Sequence, residues 1–366
     1  MTAPRRVLVV ITRRIGDVLL ATPLIRSLKR AWPQAQIDVL VFAGTEEVIS
    51  ANPDIQSVIT IAERPDLWTH LKLVAHLLRR YDLAFSCLPG DRPTLYAWLA
   101  GKKRVGLLEA DAKNRWKQRL LNQWTSFDNL NTHTVLMHLK LAELLNISKH
   151  YEVLVSWSDT TAAYIDALFL SSQAPNQRLA VLHLYPKFNY KMWHAQGWSE
   201  LSRWLAKQGL RIVLTGSAAP EELDYIEKIL PLLPQDTLNL AGRLNLEQSS
   251  CLLSRAAIYV GPDTVVTHIA AALSVPTVAL YGPTNPVKWG PWPKGHNKDS
   301  NPWKRLGSQR VGNVMLVQGT EPCVPCLLEG CDRHIASFSD CLQELKTDKV
   351  IAAAESLLKQ YAAAVA

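Results

Sequence analysis

The stretch "ITRRIGDVLLATPLIRSLKRAW" (Ile11 to Trp32) runs an aliphatic strand into a glycine turn and out into a helix, as nucleotide-binding folds do. It has one glycine there, Gly16, and the next residue is an acid, Asp17. Neither G-x-G-x-x-G nor G-x-x-x-x-G-K-[ST] is present, so the turn lacks the glycines that let backbone close around phosphate. A carboxylate stands where a phosphate would sit, and the stretch by itself leaves its use open.

A second set of residues suits phosphate better. In "AIYVGPDTVVTHIAAALSVPTVALYGPTNPVKWGPW" (Ala257 to Trp292) a strand ends near Gly261, and Asp263 and Thr264 begin a short helix of small residues. The free N–H groups and positive dipole at such a helix start favour a diphosphate. Thr264 and His268 are four apart and share one helix face. The plainer alternative is that Asp263 caps the helix and His268 packs against the sheet. In "HLYPKFNYKMWHAQGWSEL" (His183 to Leu201), Lys187 and Lys191 follow a strand, where an ammonium can neutralise a leaving phosphate. For Lys187 a solvated loop lysine is the simpler reading. In "TGSAAPEELDY", Glu221 and Glu222 either reach a ribose or sugar hydroxyl or favour a helix N-terminus.

Lys and Arg total 40 against 32 Asp and Glu, a net charge of +8. The excess gathers in the first half at Arg13-Arg14, at Lys102, Lys103 and Arg104, and in "KNRWKQR" (Lys113 to Arg119), which holds Arg115, Lys117 and Arg119. That clustering suits an anionic partner, whether phosphorylated lipid, membrane surface or nucleic acid, unless the charges merely solvate helix faces. Cys323, Cys326, Cys331 and Cys341 follow a C-x2-C-x4-C-x9-C spacing. Zinc is one reading, but the second C-x2-C knuckle of most zinc ribbons is missing, and reduced structural thiols are the expectation.

These groups need elements to position them. Short aliphatic strands at 6–11, 37–42, 57–61, 83–88 and 103–107 alternate with helices near 18–32, 45–51, 66–80, 92–100 and 133–146. A polar stretch, "FLSSQAPNQR" (Phe169 to Arg178), precedes a second alternation: strands at 179–185, 211–216, 238–240, 257–261 and 277–282, helices at 198–208, 220–230, 246–256 and 264–273. Such alternation predicts α/β architecture with parallel sheets covered on both faces. The expected domains are 1–172, 178–345 and a C-terminal helix over 346–366, with a loop-like stretch after about 283. Ligand sites then fall at the carboxyl ends of the strands, in a cleft between two domains. No apolar run approaches the roughly 20 residues of a membrane span, and the chain reads as cytoplasmic.

Taken together, "GDVLLATPLIRSLKRAWPQAQIDVLV", the Lys-x-Trp of Lys191 to Trp193, "GPDTVVTHIAAALSVPTVALYGPT" and "KWGPW" resemble the lipopolysaccharide heptosyltransferases of glycosyltransferase family 9 over nearly the whole chain. The likeness is to the branch adding a later inner-core heptose. The resemblance implies a GT-B fold of two facing Rossmann-like domains, with no cofactor or metal ion. It also implies a donor, ADP-L-glycero-β-D-manno-heptose, held mainly by the second domain, and transfer with inversion. Asp17 then becomes the general base for the acceptor hydroxyl, and Lys191 meets the departing diphosphate. Asp263, Thr264, His268, Glu221, Gly261 and Lys187 become donor-binding residues. Arg13, Arg14 and the basic clusters face an anionic lipopolysaccharide core, with peripheral contact at the inner membrane's cytoplasmic face and no nucleic acid. The chain departs from some relatives at Tyr185-Pro186-Lys187, where they carry threonines or serines. Alternatives are another GT-B nucleotide-sugar transferase, a sugar-nucleotide epimerase and a non-catalytic nucleotide-binding homologue.

Overall fold

Each aliphatic run becomes a strand of one of two sheets. The computed structural model describes residues 3–109, 111, 114–170 and 177–365. The chain divides into two compact units, one ending at Ser156 but including Asn297–Asn301, the other beginning at Trp157.

The first unit holds β1 (Arg6–Ile11), β2 (Gln36–Phe42), β3 (Ser57–Ile61), β4 (Tyr81–Ser86), β5 (Gly101–Leu108) and β6 (Gln123–Ser126), in the order β3-β2-β1-β4-β5-β6. All neighbours are parallel. Val7 to Ile11 are wholly buried, as a strand covered on both faces must be. The helix expected over 18–32 is two helices, Ile15–Leu19 and Thr22–Ala31. Pro23 has no N–H to continue the first. At the junction the Thr22 hydroxyl donates to the Leu19 carbonyl (2.7 Å) and accepts from the Leu154 N–H (3.0 Å). The strand β6 and the helices Arg115–Leu120 and Asp159–Leu170 are elements that the aliphatic pattern did not mark.

The second unit holds β7 (Leu179–His183), β8 (Arg211–Thr215), β9 (Leu238–Asn239), β10 (Ala256–Pro262), β11 (Thr277–Tyr281), β12 (Gln309–Val311) and β13 (Val314–Gln318), in the order β12-β13-β11-β10-β7-β8-β9. Apart from β12, which pairs antiparallel to β13, this repeats the strand order of the first unit. β13 comes from the stretch expected to be loop.

The expected linker falls mostly on Ser171–Asn176, which lie outside the described residues, as does Lys113. The change of unit comes earlier, at 156–157. The helix Asp159–Leu170 packs on Leu246–Leu253 of the second unit, where Arg255 pairs with Asp166 (2.6 Å) and the Ser158 hydroxyl donates to Glu247 (2.8 Å). The C-terminal helix Thr347–Val365 belongs to the same unit: Val350, Ala354 and Leu357 are buried in one core with Trp198, Leu201 and Leu205.

Candidate functional site

In a sheet of order 3-2-1-4-5-6, connections leave the first and fourth strands in opposite directions, and the crevice at their carboxyl ends is where such folds take ligands. The first unit has that point at the ends of β1 and β4. Asp17 lies there, in the short helix following β1, with a nearly buried side chain; the half-exposed Arg13 holds its Nε 3.5 Å from the Asp17 carboxylate. A Cβ built on Gly16 would meet nothing within 4 Å, so the glycine is not required by neighbouring protein atoms. Arg14 is exposed on the same turn.

Of the basic groups, the structure brings only part to this end. Arg115, Lys117 and Arg119 sit on the helix after β5, so they follow a carboxyl end. Lys117 is buried, bonding the Pro89 carbonyl (2.7 Å) and pairing with Asp91 (2.8 Å), and thereby fastens the loop after β4. Arg115 and Arg119 are exposed. Lys102, Lys103 and Arg104 instead lie at the start of β5, and a strand rising about 3.3 Å per residue carries them well over 10 Å from its carboxyl end. There Lys102 pairs with Asp82 (3.0 Å) and Arg104 donates to Asn122 (2.9 Å). The expectation that these three share a surface with Asp17 is corrected by the direction of the strand.

The corresponding point of the second unit lies at the ends of β7 and β10. Lys191 arrives on the turn Asn189–Lys191 after β7, and Asp263 directly follows β10. They form an ion pair of 2.5 Å, and the same ammonium bonds the Asp263 carbonyl at 3.3 Å. The other Asp263 oxygen accepts from the Tyr281 hydroxyl (3.2 Å) and lies 3.8 Å from His268 Nε2. Burial alone would raise the Asp263 pKa, but the charge of Lys191, with His268 and Thr284, holds it below the usual carboxylate range. Burial pushes His268 down to about 4, so its ring is neutral at pH 7, and it drives the Tyr281 phenol upward, with Asp263 adding to the effect. Thr264 precedes the helix Val265–Ala272 in extended conformation and makes no side-chain cap. Gly261 is required sterically, because a Cβ there would overlap the Tyr259 hydroxyl.

Of the two acids after β8, Glu221 is exposed, whereas Glu222 is buried, accepts from the Ser217 hydroxyl (2.5 Å) and has its pKa raised by burial. Glu222 Oε1 has no hydrogen-bond partner. Lys187 is exposed above the Phe188 ring. Sequence reasoning did not single out Tyr281, although "VALYGPT" was part of the informative stretch. The four clustered cysteines are free thiols; burial, then neighbouring Cys326, Cys323 and Cys331, push Cys341 up to about 12. Among the described residues no set of three or more His, Cys, Asp or Glu is placed to hold a metal ion. None of their helices is long and apolar enough to cross a membrane.

Residues 72–310, more than half the chain, match the model of glycosyltransferase family 9 (heptosyltransferase). Lipopolysaccharide heptosyltransferase 3 of Escherichia coli K12 is 27% identical over 306 residues, covering 76% of this chain and 82% of that protein. Among solved structures, the family 9 glycosyltransferase of Veillonella parvula superposes with a TM-score of 0.77 at 17% identity, covering 97% of both chains. E. coli ADP-heptose lipopolysaccharide heptosyltransferase II superposes with a TM-score of 0.74 at 21% identity, covering 97% of this chain and 99% of that one. These two likenesses place both units in the GT-B fold.

Proposed function

Because the chain belongs to glycosyltransferase family 9, we propose that this enzyme transfers heptose from ADP-L-glycero-β-D-manno-heptose to the inner core of lipopolysaccharide, with inversion. The observation that supports this most is the difference between the two crevices: an acid beside an exposed arginine in the first unit, a part-buried cation paired to the acid before a phosphate-type helix start in the second. The relatives' names, lipopolysaccharide heptosyltransferases, give the substrate class.

In this reading Asp17 takes the proton from the acceptor hydroxyl as its oxygen attacks the anomeric carbon. The bond from that carbon to the β-phosphate oxygen breaks on the opposite face, and its electron pair leaves with ADP. Lys191 and the N–H groups at the start of Val265–Ala272 neutralise the charge that develops there. Asp263 holds Lys191 in place, and neutral His268 keeps its one N–H available as a donor. Glu222, rather than the exposed Glu221, is the acid suited to a ribose hydroxyl, because its buried Oε1 lacks a partner. In this reading Arg13, Arg14, Arg115 and Arg119 meet an anionic acceptor at the cytoplasmic face of the inner membrane, and Lys102, Lys103 and Arg104, at the start of β5, do not.

Incubation with ADP-heptose and a panel of truncated lipopolysaccharides, followed by mass analysis, tests the proposal. One added heptose on one inner-core acceptor supports it; transfer only from another nucleotide sugar, or none, contradicts it. Activity should persist in excess EDTA, since Lys191 and the helix start supply the positive charge. Loss of activity restored by magnesium or manganese would contradict that step.

A further inference from the structure

The helix Leu67–Leu77 joins β3 to β4 and buries only Leu73 and Leu77 beneath it. On its other side Leu67, Trp68 and Leu71 are 70%, 73% and 47% exposed, and Leu78, just past its end, 57%. These are four of the fifteen large hydrophobic side chains exposed among the described residues. Leu67, Leu71 and Leu78 follow helical spacing and form one outward stripe with Trp68 beside it. Trp68 leads the adjoining stripe, Lys72 and His76, both exposed, and exposed Arg64 and Arg80 stand beyond the two ends, while Arg79, past the helix end, bonds the Gly101 carbonyl (3.1 Å). No Asp or Glu occurs from Leu67 to Tyr81. Asp66, at the helix start, is engaged by the Thr69 N–H (3.0 Å) and hydroxyl. The helix runs from the carboxyl end of β3, so Leu67 and Trp68 lie toward the same end of the sheet as Asp17.

We propose that this face docks on an anionic lipid surface. The leucines and Trp68 enter the boundary between headgroups and acyl chains, and Arg64, Lys72 and Arg80 meet lipid phosphates. An apolar stripe with a tryptophan at its edge and a mostly basic flank, Glu63 and Asp66 standing only at its N-terminal end, is the pattern of interfacial helices, and its net charge is complementary to phosphate. This surface rests on the proposed reading of a membrane-borne acceptor, and vesicle binding tests it apart from sugar transfer.

The full-length protein is sedimented with vesicles of phosphatidylcholine alone and with about 30% phosphatidylglycerol, at about 0.05 and about 0.5 M salt. The expected result is binding to the anionic vesicles that weakens at high salt and falls at least about tenfold in Trp68→Glu/Leu71→Glu. Lys72→Glu/Arg80→Glu should lose the preference for anionic vesicles. Both double variants change exposed residues, and their unfolding midpoints should match the wild type. Absence of vesicle binding, or equal binding by wild type and Trp68→Glu/Leu71→Glu, overturns the proposal. So does a wild-type dimer that Trp68→Glu/Leu71→Glu converts to monomer, because the occupant would then be a second copy of the chain.

Discussion

The two units share one strand order and place an acid at the same topological point, yet the two acids have opposite surroundings. Asp263 is enclosed: Lys191 pairs with one oxygen, Tyr281 donates to the other, and His268 stands by as a neutral ring. Asp17 is nearly buried as well, but the cation facing it, Arg13, is about half exposed and 3.5 Å away. Asp263 is locked to the part-buried Lys191 ammonium, which in the proposed reading it holds in place. In the proposed reading Asp17, beside the half-exposed Arg13, receives the proton of the acceptor hydroxyl. Topology thus puts an acid at the same point of each unit, and the side chains around it differ.

Breaking the contrast on the first side should have the largest effect. Asp17→Asn keeps the shape and removes the basicity, and turnover should fall by about 10²–10⁴-fold in a steady-state transfer assay. A decrease of less than about threefold would remove Asp17 from the chemistry.

On the second side, Lys191→Met leaves Asp263 buried without its cation. Breaking a buried pair costs about 3–5 kcal/mol, and the low end applies here because Tyr281 still donates. Denaturant unfolding should show a loss of about 3 kcal/mol, and Lys191→Met/Asp263→Asn should recover part of it. An unchanged stability would mean that the pair is not closed in solution.

A smaller effect follows from the histidines. His183 and His268 are both pushed down to about 4 by burial, from an ordinary 6.5. Between those values the unfolded chain binds protons that the folded chain does not, so stability rises with pH across that window. Each group contributes a slope of up to about 1.4 kcal/mol per pH unit, approached where the unfolded imidazole is mostly protonated and the buried one still neutral. Unfolding measured at pH 5 and pH 7 should show the protein less stable at pH 5, and His268→Gln should lessen the difference. An identical difference in the variant would place the proton elsewhere.

The smallest effect tests the corrected basic cluster. Lys102→Glu should leave the acceptor KM within about twofold at low salt, whereas Arg14→Glu should raise it, and the rise should shrink as salt screens the charge. Equal responses would restore the single acceptor surface that the sequence suggested.

The sheets were legible because buried parallel strands read as unbroken aliphatic runs, Val7 to Ile11 and Leu179 to Leu182 most plainly. β6, with the sequence Gln-Trp-Thr-Ser, has no such run, and β13 is hidden between glycine- and proline-rich loops. The Lys191–Asp263 pair spans 72 positions, and only the fold brings its halves together. Glu221 and Glu222 differ by one residue, about 100° of helix, which composition cannot phase. Charge density marked Lys102 to Arg104 correctly as basic but could not say which end of a strand they occupy.

The division of labour between the units is tested most directly by calorimetric titration of ADP into Asp17→Asn and Lys191→Gln side by side. Kd should stay within about twofold of wild type for Asp17→Asn and be at least about tenfold weaker for Lys191→Gln, the cost of roughly one charge-assisted hydrogen bond. Equal weakening in both variants, or a loss confined to Asp17→Asn, would contradict it.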